Sequence, residues 1–524
     1  MVQGQGSRLI KNSIFSLFNT FFMMASSWII SIWIARQLGP SNYGIFNLVL
    51  WLSGTLSWVI GMGFINAVTR FIAEFKGRGE IDCLGGIIFF VLKIEVGITF
   101  FTTILLLLFR TQVADFFFSP NQSFFFFLAA LGLFPGILTA IFSSAIEGIQ
   151  KFEYFTYSNI ILTPVSFFSK VAVLHLGYGI SGLLMVMLVF SFINALFYYL
   201  VLKKEGILIR GSLSLSKEIK KRILTYNKSL IAILTCDKIV WDKSENFFLG
   251  RLCSAVEVGY YNLGFNIAQK FTSILPMTFW RVLFPAMSSY FGSGDEAKMK
   301  RLFYLSTRYL AYVSFPMGVG GMIVAYQLIH YLYGYEYIGA QRVLQIIFAA
   351  SVFSSLSNPA SAVLYSFEKQ SFIYKYGVVL AVINISLDIL LIRYHGATGA
   401  AICYGITTVL GSVGGLIYTC KTMKLQYPLK AIFKTILATI LMATVMELII
   451  LKSHELFGFI AAIVCGMITY IVSLMVVESF EEEDLALLIQ IRTVLPGKTK
   501  WIIDILYSLL LHFKDIDINK GADH

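Results

Sequence analysis

Thirteen ionisable side chains fall inside stretches otherwise apolar enough to cross a membrane. Seven are basic (Lys93, Lys170, Lys238, Lys243, Lys270, Arg281 and Arg308) and six are acidic (Glu95, Asp237, Asp242, Glu245, Asp388 and Glu447). A charge at the centre of a bilayer costs about 3 kcal/mol or more, so such residues default to a functional role with their partners facing the protein interior. Depth separates them. Lys93, Lys170 and Lys270 lie deepest and read as lining a cavity. Arg281 and Arg308 lie near cytoplasmic ends, and Asp388 and Glu447 near external ends, where reaching out to the interface is an equally good reading. The densest cluster runs from Cys236 to Glu245. At 100° per residue, a continuous helix places Lys238, Asp242 and Glu245 within about 60° of one another, with Lys243 pointing elsewhere. That face is either a polar wall of a central pathway, with Asp237, Asp242 and Glu245 open to an H⁺ or Na⁺, or a salt-bridged stripe that holds two halves together. A cavity with several Lys and Arg favours an anionic substrate. A phosphate or pyrophosphate headgroup suits it, because cationic donors replace the hydration the anion loses. Cationic drugs suit it badly.

The elements that position these residues follow from composition. Of 524 residues, 57% are hydrophobic and only 13% charged, about half the charge of a soluble domain, and the mean hydropathy is +0.77. This excludes disordered, fibrous and disulfide-framed classes and argues for an all-α polytopic membrane protein. Apolar stretches between breaks give about fourteen spans, each near the 20 residues a crossing helix needs. The net charge of +12 is explained by the loops and not by nucleic acid. The N-terminus, even-numbered connections and tail hold 28 Lys and Arg with their flanks, against six in the odd-numbered connections. Both termini are therefore expected in the cytoplasm, of a cell membrane crossed many times.

Catalytic chemistry is not visible. Gly497-Lys498-Thr499 looks like the end of a phosphate-binding loop, but Arg492 stands where the leading glycine is needed. The six histidines never pair at ligand spacing, and the six cysteines form no C-x-x-C pair, so they read as packed free thiols with no metal or redox role. The expectation is a transporter and not an enzyme, with no cofactor beyond a coupling H⁺ or Na⁺, or the membrane potential alone.

The chain repeats itself. Residues 36–48 (RQLGPSNYGIFNL) align without gaps on 251–263 (RLCSAVEVGYYNL), matching Arg36/Arg251, Gly44/Gly259, Asn47/Asn262 and Leu48/Leu263. The same shift carries Phe152-Glu153 onto Phe367-Glu368, and nearly the same shift carries Gly179-Ile180-Ser181-Gly182 onto Gly396-Ala397-Thr398-Gly399. A shift spanning six helices returns the chain to the same membrane side, which makes a parallel repeat of the kind transporters use. The expected organisation is an N-terminal six-helix lobe (1–202), a basic cytoplasmic loop (203–228), a second six-helix lobe (229–419), two extra spans (420–477) and a cytoplasmic tail (478–524). In that tail the apolar run Trp501–Phe513 is too short to span and reads as lying along the interface.

The ordered set Ala35-Arg36-Gln37-Leu38-Gly39-Pro40-Ser41-Asn42-Tyr43-Gly44-Ile45-Phe46, Trp241-Asp242-Lys243-Ser244-Glu245-Asn246-Phe247-Phe248-Leu249-Gly250, Leu283-Phe284-Pro285, Leu332-Tyr333-Gly334-Tyr335-Glu336-Tyr337 and Gly396-Ala397-Thr398-Gly399-Ala400-Ala401 resembles bacterial and archaeal polysaccharide flippases. These belong to the multidrug/oligosaccharidyl-lipid/polysaccharide exporter superfamily, and the resemblance covers about residues 8–477. It implies a V of two six-helix lobes plus two C-terminal helices. The implied substrate is a polyprenyl-pyrophosphate-linked oligosaccharide, carried from the cytoplasmic to the external leaflet by alternating access. Membrane lipids and a polysaccharide polymerase or assembly proteins are the implied partners, with no nucleic acid. Where such a relative has Arg, this chain has Lys243, which keeps the charge but loses bidentate pyrophosphate binding. Two neighbouring readings stay open: a flippase for the peptidoglycan lipid precursor, and a cation-coupled multidrug antiporter.

Overall fold

A computed structural model of the chain describes residues 2–61, 63–208, 215–241, 243–367, 369–453 and 455–477. Among these there is no strand. The first half is built from α1 (Val2–Gly61), α2 (Phe64–Gly77), α3 (Asp82–Leu108), α4 (Arg110–Phe117), α5 (Ser123–Gly148), α6 (Glu153–His175) and α7 (Gly179–Lys204). There follow α8 (Lys217–Trp241), α9 (Glu245–Leu252), α10 (Ala255–Thr272), α11 (Ile274–Ser293), α12 (Glu296–Ile323) and α13 (Ala325–Tyr333). The chain continues through α14 (Gln341–Ser366), α15 (Gln370–Leu387), α16 (Arg393–Met423), α17 (Leu429–Lys452) and α18 (Leu456–Val476). Nine helical stretches among the described residues are long and apolar enough to cross a membrane, and α12 with α13, bent by 65°, makes a tenth.

Two helices exceed any bilayer and break at glycine. Straight, the 60 residues of α1 would run about 90 Å, three times the hydrocarbon thickness. Gly39 leaves the helical region (φ 70°, ψ 168°) just before Pro40, and Gly396 does the same in α16 (φ 53°, ψ −132°). Both conformations lie where only glycine sits without strain.

The helices carry the repeat at the level of whole elements. A shift of 215 residues takes the start of α4 onto the start of α13, and takes the Pro120–Gln122 turn onto the start of the Tyr335–Ala340 turn. The same shift takes the last residue of α3 onto the last residue of α12. Two short helices, α4 and α13, thus recur at matched positions.

The chain divides into two compact units. The first comprises 1–263, 332–340 and 377–403, and the second 264–331, 341–376 and 404–524. The first unit's core joins α2, α3, α5 and α7 around Phe71, Ile72, Ile87, Ile88, Leu133 and Ile141. In the second, α12 packs with α17 and α18 around Met442, Met446, Ala462 and Leu474. There the Tyr470 hydroxyl donates to the Tyr312 carbonyl at 2.6 Å, so its polar end is satisfied where it is buried. The interfacial run expected at 501–513 lies outside the described residues.

Candidate functional site

The seventh span is not one helix. α8 ends at Trp241, Lys243 takes a left-handed conformation (φ 53°), and α9 starts afresh at Glu245. The shared face expected for Lys238, Asp242 and Glu245 on a continuous helix is therefore corrected: Glu245 belongs to a different helix from Lys238. The cause is local. Ser, Asn and Lys side chains in this stretch compete for partners that a straight helix would deny them. The Ser244 hydroxyl donates to Asn384 Oδ1 at 2.8 Å, and Lys243 Nζ donates to Asn262 Oδ1 at 3.3 Å. Asp237 and Lys238 fall in α8, and Asp242 lies outside the described residues.

The break delivers Glu245 into a buried polar cluster contained wholly in the first unit. Its carboxylate accepts from the Tyr261 hydroxyl at 2.9 Å and from Asn384 Nδ2 at 3.4 Å. Beside it Asn262 Nδ2 donates to Asn246 Oδ1 at 2.7 Å. Asp388 opens a π-helical turn, Asp388–Ile392, a local widening of the helix that recurs at functional sites. Its carboxyl neighbours Glu245, Ser244 and Cys403, and neither oxygen has a hydrogen bond of regular geometry among the described residues. Glu245, Asn384 and Asp388 are 1%, 0% and 0% exposed. Of the two readings open for Asp388, reach to the interface and a role inside the protein, its burial fits the second. With both carboxyl groups ionised, one nearby ammonium would leave a negative charge uncompensated in a dry site. A proton or a monovalent cation with oxygen ligands would neutralise it. Among the described residues, no group of three or more His, Cys, Asp and Glu gathers in a metal-holding arrangement, so amide and hydroxyl oxygens would have to complete any ligand set.

The basic residues scatter. Lys93 is exposed on α3 and Lys170 half-buried on α6, both in the first unit. Lys270, on α10 in the second unit, is half-buried, next to Gln269, whose amide donates to the Tyr404 hydroxyl at 2.8 Å. Arg281 is exposed. Arg308, read equally as reaching the interface and as binding substrate, is 0% exposed, its guanidinium 5.3 Å from the Tyr309 ring centre. Glu447 is exposed on α17, whereas Glu95 is fully buried on α3 with no hydrogen-bond partner for either oxygen among the described residues. In the second unit a small cavity is lined by Thr272, Pro276, Leu310, Ser314, Met317, Ser351 and Ser355.

Sequence reasoning weighed Glu245 for ion coupling but missed Asn384, Asn262 and Tyr261. The one available signal was that Asn262 is matched by Asn47 across the repeat.

The model of a family described as polysaccharide biosynthesis protein matches residues 33–342, more than half the chain. The chain belongs to this family, a group of polysaccharide flippases within the multidrug/oligosaccharidyl-lipid/polysaccharide superfamily. An uncharacterized membrane protein in the cps region of Klebsiella pneumoniae is 24% identical over 236 residues, 44% of this chain and 45% of that one. The lipopolysaccharide biosynthesis protein WzxC of Escherichia coli is 24% identical over 185 residues, 35% of this chain and 37% of the relative. The matched stretches thus span less than half the length of these two relatives. Among solved structures, the lipid II flippase MurJ in an inward closed conformation superposes with a TM-score of 0.70. It is 16% identical, with 88% of this chain and 98% of that chain covered. At that identity the likeness establishes the fold alone.

Proposed function

We propose that this polysaccharide flippase family member moves a polyprenyl-pyrophosphate-linked oligosaccharide from the cytoplasmic to the external leaflet. The observation that carries the reading is Lys170, half-buried on α6, a helix long and apolar enough to cross a membrane; Lys270 is half-buried on α10. In a flippase such cations serve an anionic headgroup. Lys93, Lys243, Arg281 and Arg308 complete the proposed basic set. A pyrophosphate diester carries about two negative charges, so an inside-negative potential favours its outward movement by roughly 4.6 kcal/mol per 100 mV.

The working architecture is fourteen spans, as two six-helix lobes (1–202 and 229–419) and two added helices, with both termini cytoplasmic. Alternating access would expose the sugar first to one side and then the other while the polyprenyl tail stays in lipid. The Glu245–Asn384–Asp388 cluster is the proposed seat of a coupling H⁺ or Na⁺. A polymerase or assembly protein would take up the product outside.

Headgroup translocation in proteoliposomes tests this. Polyprenyl-pyrophosphate oligosaccharide is loaded, a potential is imposed, and exposure of the sugar to an external lectin is followed. Exposure that requires the protein and falls with Lys270→Ala is the expected result. Absence of exposure, with ion-dependent ethidium efflux from the same vesicles, would refute the lipid-linked substrate and point to a drug antiporter.

A further inference from the structure

The repeat is not only a copy of elements; its two copies grip one another reciprocally. Arg36 Nε donates to the Leu332 carbonyl at 2.7 Å, and its repeat mate Arg251 donates through Nη1 to the Phe116 carbonyl at 3.1 Å. Leu332 lies in the last turn of α13 and Phe116 in that of α4, and these two helices are themselves repeat mates. Each arginine thus bonds the short helix of the other copy. Between the two bonds the glycines do the same. A Cβ on Gly44 would lie 1.8 Å from the carbonyl oxygen of Ala255, and one on Gly259 would lie 2.3 Å from that of Pro40. Pro40 and Ala255 occupy the same position of the aligned segments, as Gly44 and Gly259 do. All of these residues belong to the first compact unit.

A contact in which residue i meets j′ and residue j meets i′ is the signature of a two-fold interface, here closed within one chain. Its centre is backbone against backbone, which leaves no side chain to slide or repack. Loosening one arginine therefore loosens its mate, because both bonds are held by the same glycine crossing.

We propose that the Arg36–Leu332 and Arg251–Phe116 bonds, with the Gly44–Gly259 crossing, form a two-fold latch that shuts the external end of the translocation path and opens as one unit. The external placement rests on the orientation given under Proposed function; the latch itself does not depend on the substrate.

The test reads accessibility and not transport, so its failure is separable from failure of the flippase reading. In a full-length chain freed of native cysteines, Val258→Cys places a thiol at a 0% exposed position beside Gly259. A membrane-impermeant maleimide is applied from outside to right-side-out vesicles. Slow labelling is expected with the latch intact. Arg36→Ala and Arg251→Ala should each raise the rate on the order of ten-fold, the loss of one charge-assisted hydrogen bond. The double variant should multiply the two effects. Gly44→Ala, which cannot close the crossing, should label fastest of the single variants. Should Gly44→Ala fail to fold, the arginine variants still decide. Val363→Cys, equally buried in the second unit, should stay slow throughout. Unchanged rates, an effect from only one arginine, labelling only from the cytoplasmic face, or a parallel rise at Val363→Cys would each overturn the latch.

Discussion

If the buried Glu245–Asn384–Asp388 cluster binds a cation, two substitutions at one position should separate its structural role from its ionic one. Glu245→Ala removes the acceptor of both the Tyr261 hydroxyl and the Asn384 amide. Each donor left unpaired in a buried site costs about 1–3 kcal/mol, so roughly 2–6 kcal/mol is lost, a large share of an ordinary stability of about 5–15 kcal/mol. Glu245→Gln keeps the volume and an acceptor oxygen for Tyr261, so it should melt close to the parent protein. What it removes is the negative charge. A ligand bound only by the folded state adds about 2.7 kcal/mol at one hundred times its Kd, a shift of several degrees at most in a chain of this length. The assay is thermal unfolding of detergent-purified protein across a Na⁺ series, with K⁺ or choline holding ionic strength constant, repeated in vesicles with and without an imposed proton gradient. The parent should gain stability or transport from one of the two cations. Glu245→Gln and Asp388→Asn should each lose that gain while keeping the melt in the absence of cation. If both variants retain the full response to Na⁺ and to protons, the cluster is a packing feature and the ion argument is wrong.

Three further outcomes follow from single contacts. The carboxylate of Glu257 accepts from the Ala397 backbone N–H at 2.6 Å, where α16 resumes after its break, so Glu257→Ala should cost about 1 kcal/mol as a lost helix cap. Gly396→Ala should cost more, because its φ of 53° and the Glu257 carboxylate both exclude a Cβ; paired thermal melts rank the two. In the α2–α8 region, hydrogen bonds from Arg222 hold Glu74 below the ordinary carboxylate range, with help from the charges of Arg78 and Arg70. A depressed folded value stabilises above the unfolded one and is lost as pH falls through the folded one. Stability should therefore decline on acidification below about pH 4.5, with a smaller decline in Glu74→Gln, and pH-resolved melts measure this. Glu95 is buried on α3 with neither oxygen bonded among the described residues, so replacing it by an apolar residue of similar length, Glu95→Met, should raise the melting temperature. A fall would mean that an unseen partner holds it.

How much of this was written in the linear sequence depends on whether the signal is a pattern or a meeting. Hydropathy and loop charge gave a helical, multi-pass chain, because a long apolar stretch has few other places to go. Gly44, Gly259 and Gly396 stood out as repeat marks in the sequence, and Gly39 as part of the family-like motif around Pro40. Their reason is steric: two supply backbone angles a side chain would forbid, and two let backbones touch. The seventh span shows the limit. Its charges were visible, but a hydropathy window cannot register that Lys243 turns left-handed and restarts the helix at Glu245. The face computed from a continuous 100° rotation therefore paired the wrong residues. For Asp388 and Arg308 the sequence left two readings open, interfacial reach and an inward role, for a different reason. Position along a span predicts depth in the bilayer but not which side of the helix is covered, and both are covered completely. Asn384 carried no signal at all, since one asparagine in an apolar helix is unremarkable until a carboxylate more than a hundred residues away is brought within a hydrogen bond of it.

The same distinction explains why the repeat is more informative than its modest identity suggests. Only four of thirteen positions match between 36–48 and 251–263, yet they include the arginine that bonds the opposite copy and the glycine that lets the copies touch. The positions between them are free to vary, because a hydrogen bond to a backbone carbonyl needs nothing from the acceptor's side chain. A duplicated six-helix segment that must close on its own copy keeps what the closure uses and lets the rest drift. On that reasoning, exchanging the variable residues between the two segments, for example Gln37→Leu with Leu252→Gln, should leave accessibility at Val258→Cys unchanged. Exchanging the positions of arginine and neighbour, as in Arg36→Gln with Gln37→Arg, should open it as far as Arg36→Ala does. Equal labelling in the two designs would mean that the matched residues are inherited and not used.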